Sequence, residues 1–425
     1  MKKSVYITNF MTFYNTAWAG VLPFLKKHPR LAQTFALRTD AAHLKPADIW
    51  IQAASAGEAL LAASVLQHLS PVRPVRILVT TTTDQGMEIL TREFKKNRHH
   101  PLISLSLGWF PFDQPHIVKA VVEQVTPRVM VLLETELWPA LLYFLKQNHT
   151  RILVINGRMS RNSGRNYRWT RALWSRIFPH RILAVSRSDA ARFKQVFPRS
   201  DVAVMPNIKF AVSTAVPQVS SPLPSVSDLF PPGLAVSVLA SIRQPEEKQV
   251  LEMIRHLLNR VPDQIVAVFP RHMHRLGYWK RRLKKNGLPF YLRSDLSGPP
   301  AGPGILLWDR FGEMRSVFTH AHAVFMGGSL TPLGGQNFLE PLLQGAPVIT
   351  GPFWDDFFWV GQAVFDTGLV QRTPGWLAAA DAMVYFLKHP EDREKRLQNA
   401  HDYVAARAGG ADMACREILA ALSDA

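Results

Sequence analysis

Ile49-Trp50-Ile51-Gln52-Ala53-Ala54-Ser55-Ala56-Gly57-Glu58 is the stretch on which the reading of this chain turns. Residues 49–54 form an apolar run without alternation, the pattern of a parallel strand buried on both faces. Ser55 then opens a helical pattern that runs on from Ala59. Ser55 can cap that helix while Glu58, three residues on, reaches back to the Ser55 amide as in a capping box. The same spacing admits a second role. Gly57 would let a substrate approach the backbone, and Glu58 would act on it as a general base.

The pattern of apolar run, turn and amphipathic stretch recurs along all 425 residues. Strands are expected at 75–82, 129–134, 152–156 and 182–185, and then at 234–240, 265–269, 305–308, 323–326 and 347–350. Strand and helix in succession predict two doubly wound α/β domains, whose ligands bind at the carboxyl ends of the strands. Residues 211–233 are rich in proline, serine and valine and lack periodicity, so they read as a linker. The expected division is an N-terminal membrane-associating segment (1–40), a first domain (41–210), the linker (211–233) and a second domain (234–425).

Several other strings sit where strands end. Glu134-Thr135-Glu136-Leu137-Trp138-Pro139 places two carboxylates beside an aromatic, which is costly to bury without partners; a solvated loop with Trp138 in the core is the plainer alternative. Gly327-Gly328-Ser329, followed by Gly334-Gly335-Gln336-Asn337-Phe338-Leu339-Glu340, puts glycines before a helix. Amides exposed there suit a phosphate, and Glu340 would lie near ribose hydroxyls. Arg271, in Pro270-Arg271-His272, can grip a phosphate or carboxylate bidentately. His272 and His274 have no third ligand beside them in sequence, so no metal is expected. Asp309-Arg310-Phe311-Gly312-Glu313 reads as a turn before a helix.

The composition is globular, with 47% apolar and 19% charged residues. A formal net charge of +18 points to polyanionic partners. Between Arg151 and Arg199 eleven arginines and one lysine face a single acid, Asp189. No stacking-aromatic motif of an RNA-binding fold accompanies them, so an anionic, phosphorylated lipid is the expected partner and nucleic acid is not. Cys415 is the only cysteine, which excludes an intrachain disulfide framework. No charge falls between Lys3 and Lys26, where Phe10, Phe13, Tyr14, Trp18 and Phe24 concentrate. This segment reads as an interfacial helix with Lys26, Lys27 and Arg30 on lipid phosphates. A signal or spanning segment and a plain packing helix are the alternatives.

In this order the strings resemble those of the Kdo (3-deoxy-D-manno-octulosonic acid) transferases of lipopolysaccharide synthesis. Ser55–Glu58, numbered 55–58, is similar to their Ser-x-Gly-Glu, and 134–139 to their Glu-Thr-Glu-Leu-Trp-Pro. Asn156-Gly157-Arg158-Met159-Ser160, Asn207-Ile208-Lys209-Phe210 and the glycine strings resemble further family segments. The resemblance implies a GT-B fold, two Rossmann-like domains facing a cleft. It implies a CMP-Kdo donor, a lipid A precursor as acceptor, inversion at the transferred centre, no metal or other cofactor, and work at the cytoplasmic face of a bacterial inner membrane. By the same resemblance Glu58 is the base, and Ser55, Gly57, Glu134, Glu136, Arg158 and Ser160 lie on the acceptor side. Lys209, Ser241, Arg271, Gly312, Glu313, Gly328, Ser329, Gly335, Asn337 and Glu340 lie on the donor side.

The chain departs from the family pattern at Gln52 and Gln336, where histidines are expected, at Pro206 and Ala211, and at Ser241-Ile242-Arg243. There Thr and His give way to Ile242 and Arg243, although an arginine can still hold an acidic sugar's carboxylate. These departures keep two alternatives in play: a transferase of the same fold using another activated sugar, and an inactive lipid-binding paralogue.

Overall fold

The computed structural model describes residues 2–29, 31–96, 99–214, 226–230 and 233–425, so Arg30 and most of the expected linker lie outside the described residues. The chain divides into two compact units, Met1–Val212 with Arg407–Ala425, and Ser213–Ala406. Each is built on a seven-stranded parallel sheet.

The first sheet comprises β1 (Ile49–Gln52), β2 (Val75–Thr81), β3 (Ile103–Trp109), β4 (Val129–Leu133), β5 (Arg151–Gly157), β6 (Arg181–Ala184) and β7 (Asp201–Val204). Their order is β3-β2-β1-β4-β5-β6-β7. Successive side chains of one strand enter two different cores, which is why the runs are apolar throughout. Trp50 and Met130 fill one face, and Ile49, Ile51, Val129 and Val131 the other. Strand order reverses between β1 and β4, the crevice where doubly wound sheets hold ligands.

The second sheet comprises β8 (Ala235–Ile242), β9 (Gln264–Pro270), β10 (Phe290–Leu292), β11 (Gly304–Leu307), β12 (Ala323–Met326), β13 (Val348–Thr350) and β14 (Val370–Arg372). Its order is β10-β11-β9-β8-β12-β13-β14, with the reversal between β8 and β12. Both sheets carry an irregularity near their functional ends. Register shifts between Val154 and Gly157 and between Leu239 and Ile242 surround Asn156 (φ 59°) and Ser241 (φ 54°), non-glycine residues in the left-handed region.

The expected second domain ran to residue 425, but its tail belongs to the first unit. The helix Gly410–Ser423 lays Ala411, Ala414, Cys415 and Ile418 against Val65, Met205 and Ile208. Cys415 Sγ donates to Val65 O (3.3 Å), and Glu417 pairs with Arg181 (2.7 Å). Apolar burial on that face outweighs sequence proximity to the second sheet.

The N-terminal segment is one helix, Lys2–Lys27, with Pro23 inside it. Ile7, Phe10, Met11, Tyr14, Trp18, Leu22 and Leu25 recur at helical spacing and pack on the first core. Phe13 and Phe24, eleven residues apart and hence on one face, are 72% and 76% exposed. Among the described residues no helix is long and apolar enough to cross a membrane.

Candidate functional site

The first unit gathers carboxylates where β1 and β4 end. Ser55 caps the helix Ala56–His68, its hydroxyl accepting from the Glu58 amide (3.3 Å). Glu58 Oε2 accepts from the Ala54 amide (2.7 Å), one residue before the amide a capping box would use, and Ser55 Oγ donates to Glu58 Oε1 (3.2 Å). Cap and buried carboxylate are therefore one arrangement. Gly57 is exposed, with nothing closer than Ser55 Oγ at 3.8 Å to the position a Cβ would take, so the backbone can be approached there. Burial pushes the Glu58 carboxyl up to about 7; the Ala54 amide opposes this, and Glu136 and Glu134 add to it. A carboxylate poised near neutral pH suits proton abstraction.

Glu134 ends β4 with φ 57°, and its carboxylate meets Lys209 Nζ at 2.7 Å. Lys209, expected on the donor side, thus stands in the first unit beside the carboxylates. Thr135 Oγ1 donates to Arg158 O, tying the 134–138 loop to the segment after β5. Glu136 accepts from Trp138 Nε1 (2.9 Å), and burial raises its pKa. Arg158 is half-buried; Ser160 is exposed and caps the helix Arg161–Trp169. Gln52 is fully buried, its Oε1 accepting from Thr80 Oγ1 (2.6 Å) while Nε2 has no hydrogen-bond partner.

The second unit gathers basic and glycine-rich segments where β8, β9, β11 and β12 end. Arg271 is exposed after β9, beside His272, whose pKa is lowered by desolvation and by Arg243, His274 and Arg271. Asn337 Nδ2 donates to Glu340 Oε1 (2.9 Å), and Asn337 Oδ1 accepts from the Leu339 amide. Glu340 reaches solvent, yet the protein packed around it raises its pKa, opposed by Asn337, Arg315 and Arg271. Gly312 is exposed at φ 86°; Gly335 is buried at φ 82°, and Gln336 donates to its carbonyl (2.9 Å). Ser241 is buried, and Ile242 sits in the core.

Three donor-side expectations are corrected by burial. Glu313 is 6% exposed and faces Arg293 (2.9 and 3.1 Å) and Trp308 Nε1 (3.0 Å), so it stiffens the turn rather than meeting a ligand. Ser329 is fully buried; its hydroxyl donates to Met326 O (2.6 Å) and accepts from the Gly351 amide (2.9 Å). The Gly328 amide is taken by Glu246 Oε1 (2.5 Å), which also accepts from Arg243 N (2.8 Å), while Glu246 Oε2 accepts from Leu330 N (3.3 Å). Glu246 thereby clamps the loops after β8 and β12 together at the sheet's reversal point. Sequence reasoning gave it no role, nor Arg293, nor Arg315; the Glu-Glu pair at 246–247 after an apolar strand was the available signal. Among the described residues no three His, Cys, Asp or Glu side chains cluster as metal ligands would, and His272 and His274 stack at 5.5 Å.

Residues 28–212 match the model of the family described as 3-deoxy-D-manno-octulosonic-acid transferase (kdotransferase). The 3-deoxy-D-manno-octulosonic acid transferase of Bordetella pertussis is 31% identical over 387 residues, covering 89% of this chain and 87% of the relative. The chain belongs to this transferase family. The Haemophilus influenzae member of the family is 28% identical over 377 residues, 87% of this chain and 86% of its own length. Among solved structures, Anabaena HepE in complex with UDP shares the fold at 16% identity, with a TM-score of 0.55 over 90% of this chain and 100% of its own. Two parallel-sheet α/β domains of the kind found in GT-B glycosyltransferases thus carry the family's motifs at their strand ends.

Proposed function

We propose that this chain transfers Kdo from CMP-Kdo to a hydroxyl of a lipid A precursor, with inversion and without a metal, at the cytoplasmic face of a bacterial inner membrane. The observation that carries the reading is Glu58, a buried carboxyl at the end of β1, raised to about 7 and neighboured by Glu134 and Glu136. Glu58 takes the proton of the acceptor hydroxyl as that oxygen forms its bond to the anomeric carbon. The bond from that carbon to the phosphate oxygen breaks, and CMP leaves. Arg271, Arg243 and Arg315 supply positive charge for the phosphate and the sugar carboxylate, which stabilises the departing group. Glu340 and Asn337 suit ribose hydroxyls, and the exposed Gly57 leaves room for the acceptor.

The outer face of the first helix supports the membrane assignment. Phe13, Val21 and Phe24 are exposed, and Lys26 and Lys27 occupy its last turn. Aromatic rings beside lysines favour an anionic bilayer surface. The exposed Arg161, Arg165, Arg168 and Arg171 suit the acceptor's phosphates.

The test is mass spectrometry of a lipid A precursor incubated with CMP-Kdo and the protein. The native chain should add the mass of Kdo. Glu58→Gln should lose about a hundred- to ten-thousand-fold in rate while binding CMP as tightly in calorimetry. Undiminished turnover in Glu58→Gln would remove the base, and equal binding of UDP or GDP would remove the donor assignment.

A further inference from the structure

The strongest unassigned arrangement is a buried carboxylate on the opposite side of the acceptor-loop aromatics. Asp113 is 1% exposed. Its Oδ2 accepts from the Ala140 amide (3.1 Å) and from Tyr14 Oη–H (3.0 Å), and its Oδ1 accepts from the Leu141 amide (2.9 Å). Ala140 and Leu141 open the helix Pro139–Gln147, which has Pro139 in its first turn and no side-chain cap of its own from Trp138. Asp113 therefore provides from a distant segment the cap that this helix lacks, placing a carboxyl at the positive end of its dipole. The residue just before the helix is Trp138, whose indole holds Glu136 Oε2 (2.9 Å) and packs on Phe110 (5.8 Å). On the other side Tyr14 belongs to the N-terminal helix, and Trp18 of that helix packs on Phe112 (6.1 Å).

We propose that Asp113 is a positioning residue that ties the seating of the N-terminal helix to the placement of the Glu134–Trp138 loop, numbered 134–138. A shift of the helix pulls on Tyr14, Tyr14 shares its acceptor oxygen with Ala140, and the helix start that carries Trp138 and Glu136 responds. The N-terminal helix then does more than sit on a surface: its seating sets the geometry of the acceptor carboxylates. This rests on the reading of residues 134–138 as the acceptor's loop.

Tyr14→Phe removes one hydroxyl and keeps the ring, so the fold is preserved and the relay is cut. Hydrogen exchange is followed on the full chain, alongside initial rates with varied acceptor and varied donor. Exchange at Ala140 and Leu141 should accelerate by up to about ten-fold, the scale of one hydrogen bond, while the helix Trp376–Lys388 of the second unit is unchanged. KM for the acceptor should rise, with KM for the donor unaltered. Asp113→Asn should do the same more strongly. Unchanged exchange at 140–141 in Tyr14→Phe overturns the coupling, as does a uniform loosening of the first unit with no change in acceptor KM. If the native chain shows no transfer at all yet exchange at 140–141 still responds to Tyr14→Phe, the relay stands and the transferase reading falls.

Discussion

Acidifying the medium through neutrality should switch transfer off, and the size of the effect follows from Glu58. Its carboxyl is held at about 7 because burial disfavours the charged form. Abstraction requires that charged form, so activity is present above the pKa and lost as pH falls through it. About nine tenths of the molecules carry the base at pH 8, about half at pH 7 and about a tenth at pH 6, so kcat/KM should fall about five-fold from pH 7 to 6 and approach ten-fold per unit below that. Glu136 is the largest of the neighbouring charges that raise this pKa. Glu136→Gln removes that repulsion, and the midpoint should move to lower pH even if the height of the curve drops. The assay is the initial rate of CMP release at subsaturating acceptor from pH 5 to 9. A profile flat between pH 6 and 8, or a midpoint that stays put in Glu136→Gln, would refute the assignment of the titrating group.

Two further outcomes follow from buried contacts. Glu246→Ala leaves the amides of Arg243, Gly328 and Leu330 without their acceptor; at about 1–3 kcal/mol for each unmet donor, urea denaturation should show the second unit losing several kcal/mol, and CMP affinity should fall with it. Ending the chain after Ala406 removes the cover from Val65, Met205 and Ile208, so calorimetry should show the first unit melting early and the second unit unmoved.

Ten of the fourteen strands are legible as apolar runs, and the four that are not are β3, β7, β10 and β14, the edges of the two sheets. An edge strand is flanked on one side only, and its sequence mixes in polar or charged residues: Ile-Ser-Leu-Ser-Leu in β3, Asp201 at the start of β7, Gln371 and Arg372 in β14. Interior strands are read from burial on both faces, and that signal fades at the rim. Much the same holds at the site. Residues beside strand ends stand out by their spacing, so Glu58, Glu134 and Arg271 are legible as candidates. Whether a glycine amide is open to a ligand depends on what else reaches it, and Glu246, eighty-two positions before Gly328, is invisible to local pattern. Asp113 acts on Ala140 and Leu141 across a shorter gap of 27 and 28 positions, still beyond the reach of local pattern.

The return of residues 407–425 to the first unit makes the second unit an insertion within the first. During synthesis the order of completion is therefore inverted. Ser213–Ala406 emerges whole and can close first, while the earlier-made half waits, with an apolar seat unfilled, for the helix Gly410–Ser423 to leave the ribosome. A pause or a premature stop before the helix Gly410–Ser423 would spare the unit Ser213–Ala406 and strand the unit that carries Glu58.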